Sequence, residues 1–268
     1  MERRGGARLS LALALALAVE AAAAAPPDAA PAALERAYTA AMEGRKADAL
    51  AAAQELAGPY AVLARFGLWD ELIALGPPDP RSPPLTAGYL YGRGLALASR
   101  GRLDEARRAL EALGQLAATD PMLTDFIAVA APVVTARIAA SERHDEAAVA
   151  ALTQAVAAQD RLTGPAPDGW FFPVRDLLGA QLLIAGRPAE AERVYREDLA
   201  RNPESGWALY GLAAAERAQG RRRAAARTLG EFAHAWRHAD LRLEASAFWF
   251  AGPDTTRCEC QRQPSAQR

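Results

Sequence analysis

The chain has 268 residues, a net charge of −1, 51% hydrophobic residues and 24% charged ones. That balance can bury a core, while the near-zero charge argues against a nucleic-acid binder, for which a strong positive field is expected. Aromatics are only 7% and alanine and leucine dominate the apolar set, so helices are expected and strands are not.

The first 25 residues stand apart. Arg3, Arg4 and Arg8 make a positive start, Leu9 to Val19 is an apolar run of 11, and Ala22 to Ala25 supplies small residues. This reads as a secretory signal peptide over 1–25, too short to span a bilayer, which takes roughly 20 apolar residues. No cysteine follows the run, which speaks against a lipoprotein anchor. The mature chain is then expected in the periplasm or outside the cell, with no membrane span left after cleavage. The other reading is an alanine-rich helix that stays on the protein.

Helical spacing of apolar residues predicts helices over 31–43, 46–57, 59–66, 68–75, 85–100, 102–118, 121–142, 144–160, 173–185, 187–201, 204–219 and 221–238. Pro132 is expected to bend or split the helix it interrupts, because it removes a backbone donor and clashes with the preceding turn. Gly76 to Pro84 and Leu162 to Phe172 read as proline-rich connections between helices. After Trp249 periodicity ends, and 251–268 is expected to be a flexible tail.

A short pattern, Gly-Arg-x-x-acid-Ala, recurs along the chain. It stands at Gly44 (GRKADA), Gly101 (GRLDEA) and Gly186 (GRPAEA), with a weaker copy at Gly220 (GRRRAA) and degenerate ones at Gly67 (GLWDEL) and Glu142 (ERHDEA). The copies recur at intervals of about 34 residues with insertions, as in helical-repeat arrays. Each glycine is expected to end one helix in the left-handed conformation, with a second helix restarting within two residues. The small alanine then faces the partner helix.

On these residues the chain resembles a tetratricopeptide repeat protein. The clearest unit carries Leu178, Gly179, Leu182, Gly186, Ala191, Tyr195 and Pro203. The next carries Leu212, Gly220 and Ala225, and an earlier one Gly101 and Ala106. The best repeats are 85–121, 172–204 and 205–238, within an array covering 26–250. The resemblance implies an all-α, right-handed solenoid of antiparallel helix pairs with a concave, peptide-binding inner face. That face would be built from the first helices, Leu85 to Arg100, Pro173 to Ala185 and Glu204 to Gln219, and Arg175, Gln181, Tyr210 and Glu216 are the residues nominated to line it.

Other chemistry is sparse. His234 and His238 are four apart on the last predicted helix, and Cys258 and Cys260 form a Cys-x-Cys in the tail. Together they would complete a Cys2His2 set for zinc or copper, against the plainer reading of half-exposed histidines and unpaired or mutually linked thiols. Trp170, Phe171 and Phe172 read either as a recognition cluster or as a cover over a helix pair. No phosphate loop, nucleophile elbow or H-E-x-x-H is present, so no catalytic residue and no cofactor is nominated.

Three functions follow as expectations. The leading one is a non-enzymatic scaffold that holds a partner peptide or protein on its concave face. The alternatives are a metal-handling accessory protein using the histidine and cysteine pairs, and a structural protein whose array stacks on itself as a homo-oligomer.

Overall fold

The computed structural model describes residues 36, 38–45, 48, 60–162, 170 and 172–247. Among the described residues there is no strand. After a helical stretch at 38–42 come ten α-helices: α1 (Tyr60–Arg65), α2 (Trp69–Ala74), α3 (Pro83–Ser99), α4 (Leu103–Thr119), α5 (Thr124–Ser141), α6 (Asp145–Gln159), α7 (Val174–Ile184), α8 (Pro188–Arg201), α9 (Gly206–Ala218) and α10 (Arg222–Ala235). A single 3-10 turn, Pro121–Leu123, leads into α5.

The repeated motif is a helix terminator with one geometry at every copy. At Gly101 the hinge N–H donates to the Ala98 carbonyl at 3.1 Å, and the next N–H, of Arg102, donates back to Leu97 at 2.9 Å. The same two bonds recur at Gly44, Gly67, Gly186 and Gly220, each with φ between +65° and +75°. This is a Schellman ending, which satisfies carbonyls that the helix itself leaves open.

One copy sits one residue later than the sequence pattern suggests. In the Glu142 copy the hinge is Arg143, at φ +61°, with its N–H on Ala140 and that of His144 on Ala139. The residue facing the partner helix is therefore Ala148, which is buried, and not Ala147, which is exposed. With arginine rather than glycine at the hinge the letters misplace the copy by one residue, while the backbone takes the same left-handed turn.

The arginine after the hinge has a local role. Arg102 forks onto Glu105 at 2.6 and 2.7 Å, and Arg187 onto Glu190 at 2.7 and 2.8 Å. Arg45 pairs in the same way with Asp48. The acid thus sits in the first helical turn, where the dipole favours it, and holds the arginine that opens that turn. The alanine one place further on is buried at Ala106, Ala191 and Ala225, which lets the two helices of a hairpin approach closely.

Each helix packs on its sequence neighbour from α3 through α10, and first helices also touch where α3 meets α5 and α7 meets α9. The result is two layers, first helices inside and second helices outside, over one large apolar cluster, with a smaller one around Trp207 and Tyr210. Pro132 lies inside α5 without splitting it. Val129, Ala130, Val133 and Val134 on either side are buried, so packing holds the helix across the missing donor. The segment Pro121–Ser141 is long and apolar enough to cross a membrane by length and composition, yet half of it is buried, the setting of a core helix. The N- and C-terminal parts of the sequence, including residues 1–25 and 251–268, lie outside the described residues.

Candidate functional site

The inner face of the array is filled by residues 38–45 and 241–247 of the same chain. Tyr195 of α8 is fully buried, and its ring occupies the space where Gly179 of α7 and Gly211 of α9 have no side chain: a Cβ at either position would meet the ring at 2.4 and 2.2 Å. The hydroxyl passes between the two first helices and meets the hydroxyl of Ser246 at 2.5 Å. Ser246 also donates to the Asp176 carbonyl at 3.3 Å. Residues 241–247, which carry no regular secondary structure, therefore lie on the inner side of α7 and α9.

Their neighbours complete the filling. Leu243 is buried with Val62, Phe66, Trp207 and Tyr210, and the Tyr210 hydroxyl donates to the Glu244 carbonyl at 3.4 Å. From the N-terminal side, Ala40 and Ala41 join the same cluster, and the Trp207 indole N–H donates to the Ala41 carbonyl at 3.0 Å. Trp236 stands between the two segments, its ring pressed against Gly44 and Gly206, where a Cβ would meet it at 2.2 and 2.1 Å. The Asp240 N–H donates to the Gly44 carbonyl at 3.3 Å. The first hairpin thus meets the last, and the groove between them is closed.

A buried ion pair ties α1 to α7 across this groove. Arg65 donates to Asp176 at 2.8 Å, with both side chains almost fully buried. The Arg65 guanidinium also lies 3.9 Å from the Trp207 ring and 5.0 Å from that of Phe172, so aromatic faces share its charge. Burial raises the Asp176 carboxyl above its usual range, and Arg65 opposes that rise. One oxygen of Asp176 has no hydrogen-bond partner.

Beside it opens a cleft of about 290 Å³ lined by Tyr38, Gln159, Trp170, Phe172, Arg175, Asp198 and Arg201, among others. Asp198 is buried, and burial first, then the nearby Asp176 charge, pushes its carboxyl up to about 7. Asn202 donates to one of its oxygens at 3.0 Å, and the other has no partner. Across the cleft Arg175 forks onto Asp160 at 2.8 and 2.6 Å, and Arg201 reaches the same carboxylate at 2.6 Å.

The four residues nominated for an open concave face are all buried. Arg175 is held by Asp160, and Gln181 donates to Asp145 at 3.0 Å. Glu216 accepts from Thr228 at 2.9 Å and from Arg196 at 3.2 Å. Tyr210 packs edge-on against Phe232 at 5.4 Å. These four side chains therefore do not line an open groove: Gln181 and Glu216 are held by side chains of α6, α8 and α10, Arg175 by Asp160, and Tyr210 lies against residues 241–247.

Trp170 makes edge and tilted contacts with Tyr91 and Phe126 at 5.3 Å, and Phe172 stacks on Tyr38 at 6.1 Å, so both serve as cover. Phe171 lies outside the described residues. His234 is exposed near the end of α10, and His238 lies in the turn beyond the helix, so the two do not share one helical face as expected. Cys258 and Cys260 fall outside the described residues, and among the described residues no group of three or more metal-binding side chains comes together.

The fold is an all-α solenoid of antiparallel helix pairs. No family description and no curated protein matches the chain. Among solved structures it is similar to the crystal structure of MamA protein, at 14% identity over 81% of this chain and 99% of that one, with a TM-score of 0.41. At that looseness of superposition the repeat geometry rests on this chain's own hinges. Sequence reasoning missed Asp176, Asp198, Arg65 and Ser246. Asp176 and Asp198 look in sequence like ordinary helix charges, and nothing local signals that two distant segments will bury them.

Proposed function

We propose that the protein is a non-enzymatic interaction scaffold whose inner groove holds an unstructured protein segment. The observation that carries this reading is the seat of residues 241–247: its leucine and its serine are buried, and it takes bonds from the hydroxyls of Tyr210 on α9 and of Tyr195, which reaches in from α8. A groove that already holds an irregular stretch of chain has the chemistry to hold another, since apolar seats and hydroxyl donors do not depend on covalent continuity.

The signal-like pattern of residues 1–25 supports a site of action beyond the cytoplasmic membrane, with a protein or peptide as partner. The test is a photo-reactive amino acid placed at Tyr210 in the native host. A discrete cross-linked protein is expected, and its yield should fall when the Arg175 and Asp160 pair beside the groove is removed. Absence of any cross-linked protein, with the variant folded and exported, contradicts the reading.

A further inference from the structure

We propose that the groove exchanges residues 241–247 for a partner segment of the same chemistry, a leucine followed three places later by serine or another small residue. The inference rests on the scaffold reading and deepens it by naming the partner class.

The described contacts specify that pattern. Leu243 is 1% exposed and seated among Val62, Phe66, Trp207 and Tyr210. Three residues on, Ser246 is 3% exposed, wedged between the Tyr195 hydroxyl and the Asp176 carbonyl. A longer side chain there would have to displace Tyr195, which two glycines already clamp. Between the anchors Glu244 is exposed and uses its carbonyl on Tyr210, and Arg242 before them is exposed as well. The groove therefore reads positions one and four of the segment, with the small Ala247 buried beside the serine, and leaves the charges in water.

Tethering explains why such a site would be silent in the resting chain. A segment joined by a short linker competes at an effective concentration on the order of millimolar, so a partner in solution must displace an occupant that is always near. Releasing that segment removes the competition.

The experiment uses the full chain and a fluorescein-labelled peptide with the sequence of residues 241–247, followed by anisotropy. The native chain is compared with Leu243→Asp/Ser246→Arg, designed to release residues 241–247 while leaving every groove residue in place. The released variant should bind the peptide at least about tenfold more tightly than the native chain, and a peptide carrying leucine in place of the serine should not bind. Circular dichroism checks that the variant keeps its helices. If the double variant unfolds, Ser246→Arg alone is read in the same assay. A folded released variant that does not bind the peptide overturns the proposal, and so does unfolding of both variants, which would make residues 241–247 a fixed part of the fold. Either result beside a cross-linked partner of the native chain would sink the exchange and leave the scaffold reading standing.

Discussion

The Tyr195 hydroxyl reaches Ser246 through a gap that exists because residues 179 and 211 are glycines. Glycine within a helix costs about 1 kcal/mol relative to alanine, so alanine at either place should help if propensity decided. The ring lies inside contact distance of the missing Cβ, and overpacking a filled core costs about 1–3 kcal/mol. Gly211→Ala should therefore lower the thermal midpoint by several degrees. Adding Tyr195→Leu should recover part of the loss in a double-mutant cycle, and independent effects would refute the packing argument.

Arg143 holds a left-handed turn that glycine takes at the five other hinges. Arg143→Gly should stabilise the chain by about 0.5–1 kcal/mol by removing that strain, whereas Gly101→Ala should destabilise it by about 1 kcal/mol. Denaturant midpoints at equal slope measure both.

The same hinge shows how much of the fold was legible in sequence. Helix bounds from α3 to α10 fall within a few residues of the apolar spacing, and local signals help: α3–α4 and α7–α8 are closed by a left-handed glycine, an arginine and an acid one turn on, and α9–α10 by the glycine and arginine. The one-residue slip at Arg143 came from following the letters where the hinge has arginine rather than glycine. The groove was illegible for a different reason. Arg65 and Asp176 are 111 positions apart, and Tyr195 and Ser246 are 51 apart; no local pattern announces such pairings, so the segments that lie against Tyr210 and Asp176 could not be read from the repeats.

The Arg65 and Asp176 pair should be costly to break from one side. Asp176→Asn leaves a buried guanidinium without its anion and should destabilise by about 3–5 kcal/mol, while Arg65→Met with Asp176→Leu should lose much less. Urea unfolding of the native chain, Arg65→Met, Asp176→Leu and the double variant gives the coupling. Equal losses in single and double variants would show that the charges do not act as a pair.

Asp198 gives a pH signature. Its carboxyl titrates near 7 in the folded chain against an ordinary value of 3.8, so the folded state binds that proton more tightly than the unfolded one. Stability contributed by this group is present below pH 4, falls as pH rises towards 7 and is flat above it. Asp198→Asn, which keeps an oxygen for Asn202, should remove that decline and be the more stable chain at pH 8. A parallel decline in both chains would assign it to another group.

The central claim is that residues 38–45 and 241–247 close the inner groove, and the Trp207 indole N–H, bonded to Ala41 at 3.0 Å, reports on it directly. Its hydrogen exchange, followed by NMR with Trp207→Phe fixing the assignment, should be slowed by at least about a hundredfold relative to an exposed indole, since opening must precede exchange. Exchange at the rate of a free tryptophan, in a chain whose helices remain protected, would show an open groove and contradict the account.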